Sequence, residues 1–422
     1  MERNRTAFLE YIRDSSSTLF CLVGPNYSGK SFILKNFFEN YISVGGLLID
    51  ENGKVRRKVN NDEVSISSDE KYYVYQDEKQ RGRNPSAGVK TDIIDSSRKI
   101  IDIVNKYKKI ITNLLQEGKQ DSLGISKIMN IIEIFLTTNL NNIDYVLLDE
   151  PENSLDDNNL KIVIEFVKEL TKTKKVVVVT HSPRLLELMQ TEIGDIYKIK
   201  NLMGNIVNLS FNDIEQIYVQ CGGDLKRIKG YESLSLGDKI QVNATNPYRS
   251  IYISNIIKSQ DFYRILFYND VVLMEGKTEE FIIRETKYSQ KYTKNVYYME
   301  GKFKSYFLIE FFKNYCNCVY CFIDEDKKDG NNLNNNFSYN INSFFTTKYS
   351  DNSKVQIFYF HDNIESELGV NVEEVMIEFA GEENKKNKSV EKTCKACISL
   401  RYISKHPDCL EKLDLRTNKF NF

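Results

Sequence analysis

Continuous apolar runs that stop abruptly at polar residues punctuate this chain. TLFCLV (18–23), YVLLDEP (145–151) and VVVVTHS (176–182) lie in the first half; VVLMEG (271–276), NVYYMEG (295–301), CVYCFIDED (318–326) and VQIFYFH (355–361) lie in the second. Runs of this length read as buried parallel strands, with the polar tails at their carboxyl ends. Between them apolar residues recur at helical spacing, as in SFILKNFFENYI (31–42), KSYFLIEFFKNY (304–315) and the stretch 93–137 with Ile125, Ile128, Ile131, Ile132 and Phe135. The alternation predicts an α/β protein with two domains, 1–205 and 263–422, joined by a connecting region at 206–262 that carries no clear pattern. Residues 52–98 are polar and weakly periodic, and the asparagine-rich GNNLNNNFSYNINS (330–343) reads as a surface loop.

The first run feeds directly into Gly24-Pro-Asn26-Tyr-Ser-Gly29-Lys30-Ser31, a phosphate-binding loop in its required strand–loop–helix context. Its glycines let backbone N–H groups close around phosphates. Lys30 neutralises the β and γ oxygens, Ser31 offers a hydroxyl to Mg²⁺, and Gly24, Asn26 and Gly29 shape the cradle. Asp149 and Glu150 end YVLLDEP. Asp149 is the expected Mg²⁺ ligand and Glu150 the group that orients or deprotonates the attacking water. ATP with Mg²⁺ is therefore the expected cofactor pair.

Three further stretches narrow the class. Ser122 and Gly124, in DSLGISKIMNII, open an apolar helix 25 residues before Asp149 and resemble a degenerate ABC signature. NSLDDNN, after Glu150, resembles a D-loop, and His181 in VTHSP resembles a switch histidine. Singly, Ser122 would be a helix N-cap and His181 a strand-end histidine. In this order they resemble the ATPase head of the ABC class shared by the recombination and structural-maintenance ATPases. That resemblance implies a homodimer or higher homo-oligomer in which one subunit's signature closes on another's nucleotide.

The second half ends its strands in carboxylates. Glu275-Gly-Lys-Thr-Glu279 closes one, Asp324-Glu-Asp326 another, and Glu365 follows a third, with Glu367 competing for the same role. Oxygen ligands from converging strand ends suit Mg²⁺, or Mn²⁺, and two such ions can act on a phosphodiester. The alternative is a set of solvated strand ends. The order EGxxE, strand, helix, DxD resembles the Toprim domain of topoisomerases, primases and certain nucleases.

An ABC-type head followed by Toprim resembles the OLD (overcoming lysogenization defect) family of ATP-dependent nucleases, which includes effectors of Gabija and retron anti-phage systems. The resemblance spans 15–185 and about 262–405. It implies a Mg²⁺-dependent DNA endonuclease in antiviral defence, working with DNA and with a second defence protein or nucleic-acid regulator. It also implies metal ligation by Glu275, Glu279, Asp324, Asp326 and Glu365, and a late lysine on the scissile phosphate: Lys392, with Lys395 as rival. The chain departs from the family in the stretch 52–92 and in showing no helical dimerisation insertion. The alternative function is an ATP-driven DNA-binding sensor or scaffold whose Toprim domain docks a partner. A topoisomerase reading lacks a separate DNA-gate domain.

Composition constrains these readings only at the margins. A formal net charge of −1 means that DNA has to be held by local basic patches. Arg81 and Arg83 in the loop KQRGRNP are the best candidates, ahead of KYKK (106–109), KTKK (172–175) and KKNK (385–388). Eight cysteines in 422 residues suggest no disulfide framework. Cys394, Cys397, His406 and Cys409 have zinc-like spacing, but Ala396, Leu400 and Ile403 also fit one apolar helix face. The opening MERNRTAFLEYIRDSSS has no apolar signal core, and no run approaches the ~18 residues of a membrane span. A cytoplasmic protein is expected.

Overall fold

The computed structural model describes residues 2–43, 45–52, 54–59, 62–65, 128, 131, 143–200, 204–236, 239, 248–285, 295–299, 301–325, 336–361, 363–381 and 388–411. The chain divides into two compact units, Met1–Leu209 and Ser210–Phe422.

The first unit is built on a nine-stranded sheet: β1 (Glu2–Arg3), β2 (Leu19–Val23), β3 (Gly46–Ile49), β4 (Val55–Val59), β5 (Asp62–Ser65), β6 (Tyr145–Asp149), β7 (Lys175–Val179), β8 (Ile196–Ile199) and β9 (Ile206–Val207). The spatial order is β1-β9-β8-β2-β7-β6-β3-β4-β5. The inner five, β8-β2-β7-β6-β3, are parallel, and both flanks are antiparallel. Parallel strands are covered on both faces, which explains why their sequences are unbroken apolar runs. The register sets Leu22 and Asp149 each opposite Val179, so β2, β6 and β7 end on one edge of the sheet. Helix Lys30–Asn40 buries Ile33, Leu34, Phe37 and Phe38. Helix Arg5–Asp14 adds Phe8, Leu9 and Ile12 to the same core, and Asn4 caps it by accepting from the N–H of Ala7 at 2.9 Å.

The hairpin β4–β5 lies in the stretch read as weakly periodic. Its first strand is VRRKV, whose two outermost apolar positions flank three cations. Lys58 Nζ donates to the carbonyls of Glu39 and Ile42 at 2.6 and 2.9 Å, and Arg56 meets Glu39 at 3.1 Å. Tertiary acceptors hold this strand, which hydrophobic period cannot reveal. In the expected helical stretch 93–137, Ile128 and Ile131 are helical and buried; its remaining residues lie outside the described set.

The second unit has a four-stranded, all-parallel sheet of order β11-β10-β12-β13, from β10 (Asp270–Met274), β11 (Val296–Tyr298), β12 (Cys318–Asp324) and β13 (Val355–Phe360). Parallel neighbours need crossovers. Helices Lys277–Glu285, Lys302–Tyr315 and Phe337–Tyr349 occupy these connections. The register Met274↔Phe322 and Asp324↔Phe360 brings the carboxyl ends of β10, β12 and β13 to one edge. From Ser210 onward, the stretch expected to be a connecting region belongs to this unit, and 206–262 carries helices Phe211–Leu225 and Tyr248–Ile257 and the start of Gln260–Ile265. The first has a reciprocal capping box between Ser210 and Asp213.

The asparagine-rich stretch 330–343 is not wholly a loop. Helix Phe337–Tyr349 starts inside it, capped by Asn336, whose side chain accepts from the N–H of Tyr339. Phe337, Ile341 and Phe345 follow at four-residue spacing and are all buried. Their burial overrides the low helix propensity of asparagine.

Candidate functional sites

The phosphate loop begins where β2 ends. Gly24 packs so closely on β8 that an added Cβ would lie 2.5 Å from the Ile199 carbonyl oxygen. Gly29, at φ 90°, opens helix Lys30–Asn40 without a side-chain cap, leaving first-turn N–H groups available to phosphate oxygens. Lys30 is buried; its Nζ donates to the carbonyls of Gly24 and Pro25 at 3.0 and 2.8 Å. Burial lowers its pKa to about 8, against the opposing pull of Glu150, Asp149 and Glu152. Asn26 is exposed on the loop, beside Tyr27, which is 92 % exposed and held at φ 62°.

Ser31 Oγ donates to Asp149 Oδ1 at 2.9 Å, across 118 residues of sequence. The second oxygen, Oδ2, is buried without a hydrogen-bond partner. Burial raises Asp149 to about 6, with the Ser31 hydrogen bond opposing and the Glu51 and Glu150 charges adding to the rise. A serine hydroxyl beside an orphaned buried carboxylate oxygen fits a Mg²⁺ ion completed by phosphate oxygens and water. Glu150 sits at φ 47°, uncommon for a non-glycine residue, and its N–H donates to Val179 O at 2.9 Å. This turn points its carboxylate at His181, with Oε1 to Nε2 at 3.1 Å. Burial, reinforced by the Lys30 charge, lowers His181 to about 4.

Glu152 and Thr180 belong to this site and were missed from sequence. Glu152 Oε1 accepts from Thr180 Oγ1 at 2.6 Å and from the His181 N–H at 2.9 Å, which fixes the backbone under the imidazole. The only local clue was a third carboxylate two residues after Glu150. Ser122 and Gly124 lie outside the described residues.

In the second unit, Glu275 Oε2 accepts from the Asp324 N–H at 3.0 Å, tying the ends of β10 and β12 together. Glu279 folds back over Gly276, so that a Cβ added there would meet its carboxylate. Glu279 is only 3 % exposed, and its Oε2 has no hydrogen-bond partner. Burial pushes it up to about 7, followed by repulsion from Glu365 and Glu275, while Lys395 opposes. Glu365, not Glu367, faces this cluster. Its Oε2 meets Lys395 Nζ at 3.0 Å and its Oε1 is buried without a hydrogen-bond partner, whereas Glu367 accepts from the His361 N–H at 2.9 Å. Lys395 is raised: burial pulls it down, but Glu365, Asp324 and Glu279 together outweigh that. Lys302 and Asn342, both buried, donate to the Asp324 carbonyl at 2.6 and 3.0 Å. Neither stood out in the sequence.

The lysine seen at the cluster is thus Lys395. Lys392 lies one turn earlier on helix Lys388–Lys405, and its side chain is outside the described set, as is Asp326. Orphaned oxygens on Glu279 and Glu365 fit a hard cation in kind. Among the described residues, however, no three Asp, Glu, His or Cys side chains stand close enough to hold an ion by themselves. The same observation leaves Cys394, Cys397, His406 and Cys409 without support as a zinc site. His406 Nε2 instead lies 3.3 Å from Glu374, and its ring packs on Tyr402. In KTKK, Lys175 Nζ donates to the carbonyls of Ile12 and Arg13, a structural role. Arg81, Arg83 and 106–109 are outside the described residues.

Comparison with known proteins agrees with the first site. Residues 119–187 match a family model described as "AAA domain, putative AbiEii toxin, Type IV TA system". A "Putative ABC transporter ATP-binding protein" of Archaeoglobus fulgidus is 26 % identical over 196 residues, 42 % of this chain and 60 % of that relative. The chain therefore spans less than two thirds of that relative's length. The matched stretch 119–187 contains Asp149, Glu150 and His181, so the likeness to an AAA domain falls on the residues that face the phosphate loop. No helix among the described residues is long and apolar enough to cross a membrane.

Proposed function

We propose that the protein is an ATP-hydrolysing, Mg²⁺-dependent DNA endonuclease of the OLD type, acting in the cytoplasm as an anti-phage effector. The observation that carries the nuclease reading is the convergence of Glu275, Glu279, Asp324 and Glu365 with Lys395 at one edge of a parallel sheet. Glu365 and Glu275 repel the Glu279 carboxylate, and a bound cation would relieve that repulsion.

In the first unit, Ser31 and Asp149 would hold Mg²⁺, and Lys30 with the loop N–H groups would bind the phosphates. Glu150 accepts the proton of the water attacking the γ-phosphorus, and His181 keeps that carboxylate aimed. In the second unit, Glu275, Glu279, Asp324 and Glu365 would supply protein ligands to a cation completed by water and phosphate oxygens, with Asp326 as a further candidate. A divalent cation held there would supply charge to neutralise phosphate oxygens and activate water. Lys395 leaves Glu365 to bind the scissile phosphate, and Lys302 and Asn342 hold the β12 end in place. The ABC-type head implies dimerisation through the ATPase units. A second defence protein or a nucleic-acid regulator then gates cleavage.

The test is a paired assay of DNA cleavage and ATP hydrolysis with Mg²⁺ or Mn²⁺. Asp324→Ala should abolish the first and spare the second. Cleavage that persists in Asp324→Ala places the nuclease site elsewhere. A second reading, an ATP-driven DNA-binding scaffold, is favoured by the lack of an ion-enclosing triad among the described residues. It prevails if the wild-type protein binds DNA and hydrolyses ATP but cuts nothing in any nucleotide state with its partners present.

A further inference from the structure

Helix Arg5–Asp14 opens with an arginine that reaches the phosphate loop. A Cβ added to Gly29 would lie 3.9 Å from Arg5 Nη2, so the guanidinium stands beside the glycine that leads into helix Lys30–Asn40. The guanidinium carbon lies 4.9 Å from the centroid of the Phe32 ring, which is 55 % exposed. Gly29 and Phe32 bracket the first turn of that helix, whose N–H groups are the loop's anion donors.

A separate observation shows that space is reserved for this side chain. Gly204 has φ +77°, and a Cβ there would come within 2.9 Å of Arg5 Cβ and 3.0 Å of its Nε. A glycine at 204 satisfies both the backbone conformation and the passage of the arginine.

We propose that Arg5 is a second cationic ligand of the nucleotide, binding its α- and β-phosphates. The inference rests on the ATPase reading of the first unit. Lys30 folds back to the carbonyls of Gly24 and Pro25, at the start of the loop. In a phosphate loop that lysine serves the β and γ oxygens, while the glycine-rich backbone cradles α and β. Arg5 stands at the other end, beside Gly29 and the first helical turn. Its planar fork matches two phosphate oxygens at once, and a ring face under the guanidinium holds that plane. The ligands are nucleoside di- and triphosphates. Phe32 is the positioning residue.

The experiment titrates full-length wild type, Arg5→Ala, Arg5→Lys, Phe32→Ala and Lys30→Ala with ATP and with ADP by calorimetry, alongside steady-state hydrolysis. Arg5→Ala should weaken ATP and ADP by the same factor, about tenfold. KM should rise, with kcat held within about twofold. Arg5→Lys and Phe32→Ala should each lose part of that factor, again equally for both nucleotides. Lys30→Ala should weaken ATP more than ADP. Unchanged affinity in Arg5→Ala beside an impaired Lys30→Ala overturns the Arg5 assignment and leaves the ATPase reading standing. Unchanged affinity in both overturns the ATPase reading itself. If circular dichroism shows Arg5→Ala unfolded, the two milder variants decide: equal losses for ATP and ADP support the assignment, and wild-type affinity in both overturns it.

Discussion

Nε2 of His181 stands 3.1 Å from Oε1 of Glu150, and the two residues follow the ends of neighbouring parallel strands. Burial and Lys30 lower the imidazole to about 4, so it is neutral at physiological pH. A neutral ring meets a carboxylate only as an Nε2–H donor. His181 therefore orients Glu150 without adding charge to the site.

That relationship separates two mutations. On the proposed hydrolysis mechanism, Glu150→Gln should keep ATP binding and lower hydrolysis by about 100-fold or more, because the proton acceptor would be lost. His181→Ala should lower hydrolysis by about tenfold, because the carboxylate stays but loses its orientation. Phosphate-release rates paired with nucleotide titrations check both. Equal losses would mean that His181 does more than orient.

The second site makes a sharper distinction between two lysines three residues apart. Lys395 Nζ lies 3.0 Å from Glu365. On the proposed nuclease reading, Lys395→Ala should lower DNA cleavage by about 100-fold or more under conditions where Lys392→Ala stays within about threefold of wild type. Plasmid cleavage with Mn²⁺ reads the difference. The reverse ranking would move the phosphate contact to Lys392.

A pH-dependent stability effect belongs to Asp195, whose carboxyl is pushed up to about 6 by burial, with Glu192 adding to the rise. The folded state thus holds this proton more tightly than the unfolded chain does. The stabilising effect is fully present below about 3.9, the ordinary aspartate value, and is lost as pH rises through about 6. Above that the partly buried charge is a cost, discounted because the side chain still reaches solvent. Asp195→Asn should raise Tm by about 2–4 °C at pH 8 and leave it unchanged at pH 4. Thermal melts at the two pH values test the sign.

Helix Phe337–Tyr349 depends on its apolar face. Phe345 is fully buried and packs on Tyr306 and Tyr349 at ring separations of 5.7 and 6.1 Å. Phe345→Ala should cost about 3–5 kcal/mol in urea unfolding. Exposed Ser343→Ala, on the same helix but off the buried stripe, should cost less than about 1 kcal/mol. Similar small losses in both would deny the helix its place in the core.

The unbroken apolar runs by themselves determined the strands that matter, because parallel strands covered on both faces must be apolar throughout. The same runs placed the chemistry: Ser31, Asp149, Glu150, Glu275, Asp324 and Glu365 all lie at or just beyond strand or loop ends that pattern alone located. Local spacing could not reach anything that depends on which side chains meet. The hairpin at VRRKV is held by carbonyls of Glu39 and Ile42, and Asn336 begins a helix because Phe337, Ile341 and Phe345 find a core. Glu365 over Glu367, the appearance of Lys395 at the cluster, and the roles of Glu152, Thr180, Lys302 and Asn342 were all decided in three dimensions. Hydrogen bonds and ion pairs across tens of residues have no period in the sequence, and only the folded backbone sets which polar atoms are buried together.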